Sequence, residues 1–141
     1  MNIFLDANIL VSVFNKEYPL FTYTSRILSL AENSNRFKLF TSPVCLAIAF
    51  YFAEKKHGTV VAKRKIELLC RYVYTAQNSE SAVLSAVKNP SIHDFEDGLE
   101  YYAAAEADCS CIITEDTEDF YFSKIEVLNS ENFCYKYLFK N

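Results

Sequence analysis

The sequence predicts an α/β fold built on a central parallel sheet, and three observations carry that prediction. Short apolar, β-prone runs (Ile3-Phe4-Leu5, Lys38-Leu39-Phe40, Cys111 to Thr114, Ile125 to Leu128) alternate with stretches of helical periodicity. The first of these runs is apolar without strict alternation, as in a strand buried on both faces. Acids fall where such runs end: Asp6 follows the first and Asp116 lies just past the third.

The elements follow in order. Residues 2 to 5 form the first strand. Pro19 opens a helix in which Tyr23, Ile27, Leu28, Leu30 and Ala31 recur at helical spacing, and Asn33-Ser34-Asn35 ends it. A second short strand covers Lys38-Leu39-Phe40. Ser42 and Pro43 have the form of an N-cap followed by proline at the first helical position, which opens an apolar helix from Val44 to about Lys56. A further helix is expected over Val60 to Tyr74, with Ile66, Leu69, Cys70 and Val73 on its buried stripe. Ser79 begins a shorter helix through Val83, Leu84 and Val87, ended by Asn89-Pro90. Asp94 is the expected cap of a helix through Leu99, Tyr102, Ala103 and Glu106. After the strands at Cys111 to Thr114 and Ile125 to Leu128, a terminal helix runs from Ser130 to about Phe139. Its aromatics Tyr135, Tyr137 and Phe139 either complete the core or face a partner.

The chain has 141 residues, 51% of them hydrophobic and only two of them glycine, which is the composition of one folded domain over residues 1–141 rather than of a linker. Five cysteines without a C-x-x-C pair, and only two histidines, do not make a zinc site; they read as buried, reduced thiols. Met1-Asn2 leads straight into a strand, and the longest apolar stretch, Val44 to Ala53, is too short to span a bilayer, so a soluble cytoplasmic protein is expected.

The net charge of −4 argues against binding nucleic acid through phosphate contacts alone. The charges are nevertheless segregated. Six of the fourteen basic residues (Lys55, Lys56, Lys63, Arg64, Lys65 and Arg71) lie close together, while Asp94 to Glu118 is strongly acidic. The pattern fits a metal-binding acidic centre beside a basic shoulder, and it fits a solvated helix face equally well.

The chemistry rests on three acids. If the strands are parallel, Asp6 and Asp116 share the carboxyl edge of the sheet, where open α/β sheets place their sites. A crossover helix begins at that same edge, which brings Asp97 there too. Clustered carboxylates repel one another unless a cation holds them, and oxygen-only ligation suits Mg²⁺ or Mn²⁺. Asn8 is placed to orient a ligand, or else caps a helix. Asp94 caps the Asp97 helix, which explains it without catalysis. Asp119 is either a further ligand or a turn residue. Thr114 bonds a ligand or a phosphate, or is structural; Glu115 and Glu118 read as solvated.

These motifs resemble the PIN-domain family, in its VapC-like toxin branch with a D-F-E-D motif. Leu5-Asp6-Ala7-Asn8-Ile9-Leu10 is similar to the family's opening strand and first acid. Asp94-Phe95-Glu96-Asp97-Gly98 through Ala103 is similar to its D-F-E-D-A stretch, and Thr114-Glu115-Asp116-Thr117-Glu118-Asp119-Phe120 to its closing T-R-N/D-x-x-D-F motif. The resemblance spans essentially the whole chain. It implies a three-layer α/β/α sandwich and a Mg²⁺- or Mn²⁺-dependent endoribonuclease, with Asp6, Asp97 and Asp116 catalytic and Asp119 a further ligand. It also implies a small antitoxin partner and a homodimer. One departure stands out: the slot of the family's usual second acid falls at Ile48, and Glu54, six residues on, lies about 240° around a helix from it. A catalytically degenerate PIN domain that binds RNA or a protein is therefore the alternative. A receiver-like regulatory domain also clusters acids at a sheet edge, but it wants a lysine after a late strand, whereas Lys124 precedes Ile125.

Overall fold

The computed structural model describes residues 1–139. Five parallel strands, β1 (Asn2–Leu5), β2 (Lys38–Thr41), β3 (Tyr74–Thr75), β4 (Cys111–Ile113) and β5 (Glu126–Leu128), form one sheet in the order β3-β2-β1-β4-β5. Seven helices flank it: α1 (Ala7–Asn15), α2 (Phe21–Asn33), α3 (Pro43–His57), α4 (Thr59–Leu69), α5 (Glu80–Lys88), α6 (Phe95–Glu106) and α7 (Ser130–Phe133), which continues as a π-helical turn over Cys134–Leu138. This is the α/β/α sandwich that the sequence predicts. Among the described residues no helix is long and apolar enough to cross a membrane.

Capping signals set most helix starts. Ser42 Oγ accepts from the backbone N–H of Cys45 with Pro43 in the first turn, Ser79 Oγ accepts from Ala82, and Asp94 accepts from Glu96. Two elements depart from expectation. The run after Asp6 (Ala7-Asn8-Ile9-Leu10-Val11) is helical, because Asp6 itself caps α1 by accepting from Ala7 N–H at 2.6 Å. Helix α4 stops at Leu69 instead of Tyr74, and the chain turns to add the two-residue edge strand β3, where Tyr74 stacks on Phe40. That turn leaves Cys70 exposed, correcting its place among the buried thiols; Val73 is buried, but beyond the helix. The other four cysteines are buried, and burial pushes the thiols of Cys109 and Cys111 up to about 12, so they stay protonated. In α5 the buried positions are Ala82 and Ala86, while Leu84 and Val87 face outward.

The core is continuous from Ile3, Phe4 and Leu5 through Ile112 and Ile113 to Phe133, all fully or almost fully buried. Tyr137 completes it by packing on Phe37 and Phe133, whereas Tyr135 remains exposed. Gly98 lets α6 approach α5: a Cβ there would lie 3.1 Å from the Ala86 Cβ and 3.0 Å from Ile92. Helix α6 also packs on α3. Because Ile112 lies at the centre of β4 and is fully buried, Ile112→Ala should cost about 2–5 kcal/mol in urea unfolding. An unchanged midpoint would mean that the site can collapse around the deletion.

Candidate active site

The chain leaves β1 toward β2 on one side and joins β4 on the other, so the order of the sheet reverses between β1 and β4. Open α/β sheets have their binding crevice at such a switch point, outside the strand carboxyl ends. The register pairs Leu5 with Ile113, and Asp6 N–H donates to the Ile113 carbonyl at 3.0 Å. Residues more than a hundred positions apart thereby become neighbours.

The Thr114 hydroxyl joins these two strand ends. It donates to Asp6 Oδ2 at 2.7 Å and accepts from Asn8 Nδ2 and from Asp116 N–H, each at 3.1 Å. One donor and two lone pairs are thus all used. Asn8 lies inside α1 and does not cap it; its amide also donates to Asp116 Oδ2 at 3.2 Å, and its carbonyl accepts from Glu115 N–H. The hydroxyl therefore ties the carboxylate of Asp6, which is 8% exposed, to the backbone of Asp116, and the Asn8 amide holds the Asp116 carboxylate.

An open cleft of roughly 410 Å³ lies over this network, lined by Asp6, Asn8, Asp94, Asp97, Asp116 and Asp119. The predicted acids are brought together. Glu17, Glu96, Glu100 and Glu115 line it as well, and among its described lining residues there is no lysine, arginine or histidine. The charges register in one another's ionisation. Burial first, then the charges of Asp94, Asp119 and Asp6, push the Asp97 carboxyl up to about 7. Glu96 is raised by burial and by Asp94 and Asp6, and Asp119 by desolvation and then by Asp116.

The sequence reading missed two residues at the floor of the site. Glu100 is 1% exposed and sits with Asp6 and Cys45 such that one ligand atom of each lies within 4.8 Å of the others. Burial and the charge of Asp6 push its carboxyl up to about 10, and its Oε2 has no hydrogen-bond partner. Its position three residues after Asp97, within a run of small and apolar residues, was the available signal. Glu115 is not solvated: it is half-buried, and its Oε1 accepts from the backbone N–H of Ser130 at 3.1 Å and from the Ser130 hydroxyl.

Ile48 lines the same cleft from α3, and Glu54 does not; Glu54 instead accepts from the Thr59 hydroxyl at 2.9 Å. The basic residues Lys55, Lys56, Lys63, Arg64 and Lys65 lie at the end of α3 and along α4 and are not brought into the cleft. Lys65 lines a separate apolar groove with Phe14 and Leu68. The donor set at the site is dominated by carboxylate oxygen and includes an orphaned buried oxygen, which fits a hard divalent cation.

A doubly flanked parallel sheet with acids gathered at its switch point defines an α/β class with an acidic site, and a PIN-domain family model matches residues 2–118. The chain belongs to the PIN-domain family. It is similar to Ribonuclease VapC1 of Aquifex aeolicus (strain VF5), 27% identical over 135 residues that cover 94% of this chain and 92% of the relative. The crystal structure of VapBC2 from Rickettsia felis, bound to a DNA fragment from their promoter, superposes with a TM-score of 0.70 at 18% identity, over 92% of this chain and 98% of the other. VapBC-1 from nontypeable Haemophilus influenzae superposes with a TM-score of 0.70 at 19% identity, over 93% and 99%.

Thr114→Val keeps the side-chain shape but takes the hydroxyl partner from Asp6 Oδ2 and Asp116 N–H and leaves Asn8 Nδ2 with its bond to Asp116 Oδ2 alone. It should cost about 1–3 kcal/mol in chemical unfolding, whereas Thr114→Ser, which keeps the hydroxyl, should lose clearly less; a loss in Thr114→Ser as large as in Thr114→Val would show that the hydroxyl's hydrogen bonds are not what sets the cost. Raised carboxyl pKa values also set a pH dependence. A carboxyl whose folded pKa exceeds its unfolded value stabilises fully below the unfolded pKa and loses that contribution as pH rises through the folded one. For Asp97 the window runs from 3.8 to about 7, and for Glu100 from 4.5 to about 10. In the presence of a chelator the thermal midpoint should therefore fall between pH 5 and pH 8, with a smaller fall in Asp97→Asn. A midpoint that rises over this range would contradict the crowding of these acids.

Proposed function

We propose that this chain is a divalent-cation-dependent endoribonuclease that hydrolyses RNA phosphodiesters, carried by one PIN-like domain over residues 1–141. The observation that carries the reading is the convergence of Asp6, Asp97 and Asp116 in a cleft without a basic side chain. Asp6, Asp97 and Asp116 would hold Mg²⁺ or Mn²⁺, with Asp119 at the outer rim. When bound, the cation would acidify water and offset charge on the phosphoryl oxygens.

The chain's own residues do the positioning. Thr114 and Asn8 fix the carboxylates of Asp6 and Asp116 before any ligand arrives, which removes reorganisation from the reaction. Asp94 fixes the start of α6 and so the direction from which Asp97 enters. The half-buried wall of Ile48 limits water on the α3 side. Lys55, Lys56, Lys63, Arg64 and Lys65 would contact RNA phosphates away from the cleft, an interaction that weakens with salt.

Similarity to Ribonuclease VapC1 and to two VapBC structures supports a role as the toxin of a toxin–antitoxin pair with a small antitoxin as partner; a homodimer as the assembly and the cytoplasm as its place of action belong to the same proposal. The second reading is a degenerate PIN domain that binds RNA or protein without cleaving, and it is favoured by the apolar Ile48 in the cleft.

The deciding experiment is cleavage of labelled RNA by the purified chain with Mn²⁺ and with EDTA. Cleavage should require Mn²⁺, and Asp6→Asn and Asp97→Asn should each lower it by more than about a hundredfold. Mn²⁺-independent cleavage, or full activity in both variants, would remove the nuclease reading; no cleavage by a wild-type chain that still binds RNA would favour the second.

A further inference from the structure

Glu100 is the feature that the proposed reaction leaves unexplained. A buried carboxyl with an unpartnered oxygen is among the more costly groups a folded chain can keep. Glutamine, or an apolar residue of similar size, would fill the same space without burying an acid. The group is not isolated in the core, since it lines the cleft that holds Asp6 and Asp97.

Its placement is specific. Glu100 follows Asp97 by three residues on α6, so the two carboxyls rise from one helix face. A carboxyl oxygen of Glu100 lies within 4.8 Å of an Asp6 oxygen, a separation that one cation can bridge. No lysine, arginine or histidine among the described residues lines the cleft beside the pair, so only a proton or a bound cation can relieve it. The third member of the cluster, Cys45, is a poor candidate for that ligand shell. Its Sγ lies 4.0 Å from Asp6 Oδ1, and burial holds it as a neutral thiol, a soft group that hard cations do not select.

On the opposite wall α3 offers Ile48, which has no ligand atom. Carboxylates therefore enter from β1, from the loop after β4 and twice from α6. We propose that Glu100 is a direct ligand of the divalent cation, making α6 a two-carboxylate arm that compensates for the apolar α3 wall. This rests on the cation-dependent reading above.

The test is Mn²⁺ binding, measured by calorimetry on the full chain after chelator treatment. Wild-type protein should bind Mn²⁺, and Glu100→Gln, which preserves size and the metal-free fold, should weaken binding by at least about tenfold. In the Glu100→Gln background, Ile48→Glu should recover part of the loss. Unchanged Mn²⁺ affinity in Glu100→Gln overturns the proposal while leaving the nuclease reading in place; no Mn²⁺ binding by the wild type overturns both. A second measurement needs no variant. The backbone-assigned carboxyl carbon resonance of Glu100 should shift on Mg²⁺ addition and broaden strongly with Mn²⁺. A resonance unmoved by Mg²⁺ concentrations that shift Asp6 and Asp97 overturns the proposal independently.

Discussion

Uncompensated negative charge is the constraint on which the rest of the structure depends. Nine carboxyl side chains line one cleft, and no basic side chain among its described lining residues answers them. Three devices make this tolerable. Helices α1 and α6 begin at that edge, and α3 follows the carboxyl end of β2, so helix N-termini direct partial positive charge toward the acids. Burial first, and then neighbouring charge, favours the protonated forms of Asp97 and Glu100, whose carboxyls are pushed up to about 7 and about 10. The third device is the hydrogen bonding that holds Asp6 and Asp116 in place. None of these supplies a full positive charge, since a helix terminus is worth only about half of one. A cation fits the site because it supplies what the fold withholds.

The placement of those charges comes from the sheet. Parallel pairing of β1 with β4 aligns Leu5 with Ile113, and one further residue on each strand puts Asp6 beside Thr114. A single threonine hydroxyl then saturates its bonding between two strand ends and the first turn of α1. The arrangement is rigid because its backbone is tied into the sheet and its side chains are tied to one another. Asp97 and Glu100 lack that anchoring and depend on the position of α6, which the close approach at Gly98 fixes against α5.

Much of this was legible from local signals. The Ser42-Pro43 start, the Asp94 cap and the apolar β1 and β4 runs each follow from short-range chemistry, and parallel topology follows from alternation. Helix α1 was not legible as a helix because Ile9, Leu10 and Val11 suit a strand as well as a buried helix; the Asp6 cap decides it. Strand β3 is only two residues long and exists because its neighbours pair with it. Glu100 was only weakly legible, for a tertiary reason. In sequence it is one acid among several on a helix, and only the packing of α6 against α3 takes it away from water.

Ile48 has a physical consequence beyond the absence of an acid. Together with Phe52 it gives the cleft an apolar wall facing Asp6, Asp97 and Glu100. Apolar walls lower the local dielectric response, so each remaining carboxylate attracts a cation more strongly than it would in a solvated ring of acids. The same wall raises the cost of holding those carboxylates charged while no cation is present, which matches the strong upward shift of Glu100. In such a site the buried carboxyls of Asp6 and Glu100 respond more steeply to a bound cation than the exposed carboxyls of Asp116 and Asp119 do. In the proposed cation site a buried acid on α6 thus stands where the α3 wall offers no oxygen, and its burial strengthens how its charge is felt.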